Sequence, residues 1–164
     1  KNVLVDQGWN LVGNPYHSFI DYDAIRTSTW VPNSYYIFNT NSGTYDFFTG
    51  VGKPPIAPSQ GFWINKISGG TKAVDFTEGA KVSSNSPNFL RTAERKAEFA
   101  LKISNTQLPF YHQTKFDFNL NASNRLEEND GIYLPSPEKR APAIFSKATN
   151  SNEKLIYNSF LNFL

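Results

Sequence analysis

Few residues in this 164-residue chain combine the types and spacings that chemistry needs. Its two histidines stand in Pro15-Tyr16-His17-Ser18 and Phe110-Tyr111-His112-Gln113. Neither has a second histidine four residues away, and there is no cysteine to complete a zinc site or act as a nucleophile. No G-x-S-x-G turn offers a hydrolase serine, so both histidines read as surface residues beside tyrosine. Gly50-Val51-Gly52-Lys53 has glycines and a lysine but lacks the G-x-x-x-x-G-K-[ST] spacing that wraps a phosphate. Gly69-Gly70-Thr71-Lys72 reads as a tight turn between strands.

Carboxylates and aromatics remain. Asp21 and Asp23 fall on one side of an extended segment, and Glu127, Glu128 and Asp130 gather before Gly131. Paired carboxylates are the machinery of a glycosidase, and oxygen clusters are what calcium takes. EF-hand spacing is absent, and acidic residues in loops mostly serve as solvated turns. Calcium at Asp21, Asp23, Glu128 or Asp130 is the one ion left open, and no other cofactor is implied. Among the 25 aromatic residues, Trp30, Tyr35 and Tyr45 lie near the Val31-Pro32-Asn33-Ser34 turn and a hairpin, where exposed rings would stack on sugars. Trp9 and Trp63 are embedded in apolar strands and are expected in the core.

These residues must be positioned by strands. The chain has 18 Asn, 15 Ser and 11 Thr with ten Gly and ten Pro, a composition of tight turns, and its aromatics favour pleated surfaces. Period-two alternation runs through Phe99, Leu101 and Ile103, and again through Phe116, Phe118, Leu120 and Ala122, which reads as a half-buried strand with Asp117 outward. Tyr35–Asn39 and Thr44–Phe48 flank Thr40-Asn41-Ser42-Gly43 as a hairpin. Further strands are expected at Trp9–Val12, Phe62–Ile67, Ala73–Thr77, Gly131–Leu134, Ala143–Ser146 and Leu155–Asn158, with one turn of helix around Tyr22–Thr27. The fold class is all-β, a two-sheet β-sandwich of jelly-roll type. It is expected to form one domain over residues 1–164 with a weak seam at 83–88, where Ser83-Ser84-Asn85-Ser86-Pro87-Asn88 is polar.

Charge and length exclude several classes. Sixteen Lys and Arg against fourteen Asp and Glu are scattered, without the basic stripe of a nucleic-acid binder. No apolar run reaches the length of a membrane span. Without cysteine a disulfide framework is impossible, and a chain of this length builds a core without one. With no methionine and a first residue Lys1, the chain is expected to be a processed piece of a longer product.

One stretch is distinctive. Gly8-Trp9-Asn10-Leu11-Val12-Gly13-Asn14-Pro15-Tyr16 is followed by Ile20-Asp21-Tyr22-Asp23-Ala24, Trp30, Tyr36-Ile37-Phe38-Asn39, Gly43-Thr44-Tyr45 and Ile56-Ala57-Pro58-Ser59-Gln60-Gly61-Phe62-Trp63-Ile64. Over residues 8–66 this resembles a module of large secreted and cell-surface proteins of the Bacteroidota, often placed before a type IX secretion sorting domain. His17 and Tyr22 depart from the family's proline and tryptophan while keeping a loop and an aromatic. Nothing near Phe160–Leu164 resembles the sorting domain's basic end.

The resemblance implies a location, secreted or cell-surface, and an architecture, with no catalytic residues. The expected function is therefore a non-catalytic spacer or adhesive module, partnered by neighbouring domains of its parent and by a glycan or surface polymer. A carbohydrate-binding module using Trp30, Tyr35 or Tyr45 is the alternative. A glycan-active enzyme using Asp21 and Asp23, or Glu127, Glu128 and Asp130, is the third. The motif is expected to be structural, so Gly13→Val should lower the melting temperature through strain or lost close packing.

Overall fold

A computed structural model of the chain describes residues 1–26, 31–50, 53–66, 69–83, 97–119, 122–127 and 130–161. Its elements are β1 (Asn2–Val5), β2 (Gly8–Gly13), β3 (Phe19–Ile20), α1 (Tyr22–Ile25), β4 (Ser34–Asn39), β5 (Thr44–Thr49), β6 (Gly61–Lys66), β7 (Lys72–Asp75), a 3-10 turn (Glu78–Ala80), β8 (Lys81–Val82), β9 (Ala97–Ser104), β10 (Tyr111–Asn119), β11 (Gly131–Ile132) and β12 (Leu155–Leu161). The chain has an all-β fold of the sandwich class. It divides into two compact units, one of Lys1–Ile37 with Phe48–Thr92 and the other of Phe38–Phe47 with Ala93–Leu164.

The first unit holds β2, β6 and the start of β4, neighbours in one sheet, together with the β1–β7 and β3–β8 pairs. The core of this unit gathers Val5, Val12, Ile20, Tyr22, Ile25, Tyr35, Ile56, Phe62, Ile64, Val74 and Phe76. Burying each large apolar side chain of this set contributes ~1.5–3 kcal/mol before entropy is counted. The register pairs Val12 with Phe62 and Leu11 with Trp63, so these two pairs take opposite faces. Val12, Phe62 and Ile64 occupy the core face. Trp9 and Trp63 therefore stand on the other face and are half-buried, contrary to the expectation that they fill the core. Leu11 between them is 61% exposed. Trp9 meets Tyr36 edge-on, with ring centroids 4.9 Å apart.

Two glycines in β2 differ in what they require. Gly8 has a φ of +94°, which a side chain resists. Gly13 lies outside that region, and a Cβ there would meet nothing within 4 Å. The structure thus removes the reason to expect damage from Gly13→Val.

In the second unit the sheet order is β11-β12-β10-β9, with β10 antiparallel to β9 and parallel to β12. The hairpin tip joining β4 and β5 is held by Asn39. Its carbonyl accepts from Gly43 N at 2.9 Å, and its Oδ1 accepts from Asn41 N at 2.9 Å. Strand β10 does not keep one face inward. His112 and Thr114 are buried and share a face with Phe116 and Phe118, yet Phe118 is exposed and Asp117, on the opposite face, is buried. The expected inward row through Phe116 and Phe118 is thus inverted at Asp117. A central strand can be covered on either face, and periodicity does not say which. Leu120 lies outside the described residues. The segment 143–146 makes only a bridge from Ser146 to Leu155, and the helix at Tyr22 is one turn long.

Candidate functional site

Asp21, Asp23 and Tyr35 come together in the first unit. Asp21 precedes α1 as its N-cap, its Oδ1 accepting from Asp23 N at 2.9 Å, a satisfied donor that helps end the preceding strand. Tyr22, the first helical residue, is buried, and its hydroxyl donates to Pro32 O at 2.8 Å or to Ser34 O at 3.0 Å. These two carbonyls anchor the loop that leads into β4.

Lys53 joins this cluster through Asp23. Its Nζ donates to Asp23 Oδ1 at 2.7 Å, to Asn33 Oδ1 at 3.1 Å and to the carbonyl of Gly50, and it lies 5.5 Å from the Tyr22 ring centroid. The Lys53 side chain is 2% exposed while Asp23 is 42% exposed, so an ammonium is sequestered with a carboxylate at its mouth. Asp23 already holds a cation, and a divalent ion would have to displace it.

Tyr35 is fully buried, stacked on Phe48 at 5.0 Å, with its hydroxyl donating to the carbonyl of Pro54. Burial, reinforced by the charges of Asp23 and Asp21, raises its pKa well above the ordinary tyrosine value. A buried ring has no face for a sugar, so the expectation that Tyr35 serves as a platform is corrected. It is a core residue that ties β4 to the Pro54 segment. Tyr45 is half-buried and meets Phe38 edge-on at 5.3 Å. Trp30 lies outside the described residues.

The second acidic cluster is in the other unit. Asp130 is buried. Its Oδ1 accepts from Ser159 N at 2.9 Å and its Oδ2 from Glu127 N at 2.8 Å. Burial raises its pKa above the ordinary 3.8 against the lowering effect of those two bonds, and the charge of Glu127 adds to the rise. Both carboxylate oxygens are spent on backbone amides, which makes Asp130 a clasp between the loop and β12. Glu128 lies outside the described residues. No group of three or more His, Cys, Asp or Glu residues arranged to hold a metal occurs among the described residues.

His17 is exposed as expected, but His112 is not a surface residue. Its Nδ1 accepts from Ile144 N at 3.0 Å, and its ring meets Tyr133 edge-on at 5.4 Å. Burial lowers its pKa from the ordinary 6.5, which keeps the accepting nitrogen unprotonated.

The residue that sequence reasoning undervalued is Asn14. It is buried, and its Nδ2 donates to Ser18 O at 2.8 Å, Ala57 O at 2.9 Å and Ile56 O at 3.2 Å. Its Oδ1 accepts from Tyr16 N at 3.0 Å, and its own amide donates to Gln60 O at 3.0 Å. One side chain thereby joins the Gly13–Ser18 bend to the Ile56–Gln60 loop. The signal was available in Asn14-Pro15, since asparagine before proline marks a turn whose amide can bond neighbouring backbone.

No family model, curated protein or solved structure matches this chain. No helix among the described residues is long and apolar enough to cross a membrane, which leaves β-barrel insertion unaddressed.

Proposed function

We propose that this chain is a non-catalytic β-sandwich module of an exported cell-surface protein, working as a spacer or adhesive unit between neighbouring domains. The observation that carries this reading is where the polar groups of the distinctive motif are spent. Asn14, Asp21, Tyr22 and Tyr35 all direct their side chains to backbone groups of the same unit. Asp23 is bound to Lys53. A catalytic or ligand site needs such groups aimed at a space that a substrate can enter. The resemblance of residues 8–66 to the Bacteroidota surface module supports the same reading, including secretion and a parent carrying further domains.

The test is replacement of the module within its parent by an unrelated β-sandwich of similar length. A spacer predicts that surface display and the parent's activities survive; an adhesive unit predicts display with loss of attachment. Loss of a hydrolytic activity on replacement, restored by this chain alone, would overturn the non-catalytic reading. Carbohydrate binding rests on Tyr45 among the described candidates. A glycan array probed with the chain and with Tyr45→Ala decides it: a hit that disappears in the variant supports binding, and a blank array removes it.

A further inference from the structure

The strongest feature outside the motif is the side of β9 turned away from β10. Among the described strands it pairs only with β10 and ends the sheet. Edge strands are usually kept short or interrupted by proline, inward charges or bulges, because their unpaired amides and carbonyls template another strand. Strand β9 runs for eight residues without proline, and its register with β10 is unbroken. It exposes Phe99 at 52%, Leu101 at 43% and Ile103 at 41%. These residues lie on one face, continued across the sheet by stacked rings: Phe99 on Phe116 at 5.8 Å, Phe116 on Phe160 at 5.9 Å, and Phe118 on Phe160 at 6.1 Å.

We infer that the β9 edge pairs antiparallel with the β9 edge of a second copy, about a two-fold axis at Ala100. This inference does not depend on the spacer reading. The sequence of the strand, Ala97-Glu98-Phe99-Ala100-Leu101-Lys102-Ile103-Ser104, is self-complementary in that register. Because side chains alternate, only pairings of like parity keep the apolar faces together. Centred on Ala100, the pairing opposes Phe99 to the partner's Leu101 and Glu98 to the partner's Lys102, each twice by symmetry. Aromatic–aliphatic and opposite-charge cross-strand pairs are both favourable. Centring on Phe99 or Leu101 sets Glu98 against the partner's Ala100 or the partner's Ser104, and the charge pairs are lost. Centring on Glu98 or Lys102 sets like charges face to face. An isologous contact of this kind closes at two copies and joins the two aromatic faces into one continuous surface.

The chain has no cysteine, so a single introduced thiol reports the register. Directly opposed residues of an antiparallel pair bring their Cα atoms to ~4.5–5.5 Å, within reach of a disulfide. Under mild oxidation Ala100→Cys should give a covalent dimer, whereas Lys102→Cys should remain largely uncrosslinked. Sedimentation equilibrium of the unmodified chain should show the mass rising from 18.5 kDa toward twice that value between micromolar and near-millimolar concentrations. Lys102→Glu should weaken association at least tenfold, and Glu98→Lys combined with Lys102→Glu should restore it. Circular dichroism confirms folding, and where a charge variant misfolds the cysteine comparison decides. A mass that stays at one chain throughout, equal crosslinking at both positions, or association indifferent to Lys102→Glu would each overturn the proposal.

Discussion

Replacing Asn14 tests whether the motif is spent on the fold. In Asn14→Ala the three accepting carbonyls lose the amide. Ile56 O still accepts from Ile20 N, and Ala57 O still accepts from Gln60 N, both at 3.1 Å. Ser18 O and Tyr16 N–H lose the Asn14 partner that the structure shows for them. With a net cost of ~1–1.5 kcal/mol for each of these two groups and less for the others, Asn14→Ala should destabilise by about 2–4 kcal/mol. Asn14→Asp keeps an acceptor for Tyr16 N but turns a carboxylate toward three carbonyl oxygens, so at neutral pH it should be worse than Asn14→Ala. That cage disfavours the charged form and raises the introduced carboxyl's pKa in the folded state above its unfolded value of about 3.9. Its stabilising contribution is then present below the unfolded value and lost as pH rises through the folded one, so the deficit of Asn14→Asp should shrink toward acid pH. Denaturant titrations of both variants, followed by circular dichroism from acid to neutral pH, measure this. Equal stability of the two variants at neutral pH, or a deficit that does not change with pH, would refute the role given to the amide donors.

Three other outcomes follow from the geometry. Gly8→Ala should cost ~1–2 kcal/mol because φ is left-handed there, while Gly13→Val should stay within about 0.5 kcal/mol of the parent; thermal melts of the pair check both. Asp23→Ala leaves a sequestered ammonium without its carboxylate, whereas Lys53→Met removes the buried charge and lets the part-exposed Asp23 hydrate. The aspartate variant should therefore be the less stable by about 1–2 kcal/mol in urea titrations, after allowance for the solvent at Asp23. His112 titrates below 6.5 when folded, so the unfolded chain takes up its proton first and stability falls as pH drops below 6.5. His112→Asn, which keeps an acceptor, should flatten that decline. The difference between variant and parent cancels the opposite contribution of Asp130 near its ordinary 3.8.

Much of the fold was legible in local pattern. The β4–β5 hairpin was marked by four turn-forming residues between two aromatic runs, the strands expected at Trp9–Val12, Phe62–Ile67, Ala73–Thr77 and Leu155–Asn158 overlap β2, β6, β7 and β12, and the alternation through Phe99, Leu101 and Ile103 lies in β9. Strand β1 was missed because Asn2–Val5 is four residues long and has no turn of its own; its partner β7 lies about seventy positions away. The candidate site was legible in type but not in role. Asp21, Asp23 and Tyr35 were recognisable as polar groups near one turn, yet Lys53, thirty positions from Asp23, is what turns the acidic pair into a closed cluster.

By itself, the sequence determined that this protein is built of strands, that neither thiol nor disulfide chemistry is open to it, and that its turns fall at Asn-, Gly- and Pro-rich points. Those properties follow from propensity and composition, which are local. Only the tertiary structure decided which face of each strand is covered. Period two separates the faces of Trp63 from Ile64, or of Asp117 from Phe118, but which face is buried depends on the layer packed against it. For the same reason the structure alone decided that Tyr35 and His112 are buried and that β9 ends its sheet among the described strands with Phe99, Leu101 and Ile103 exposed.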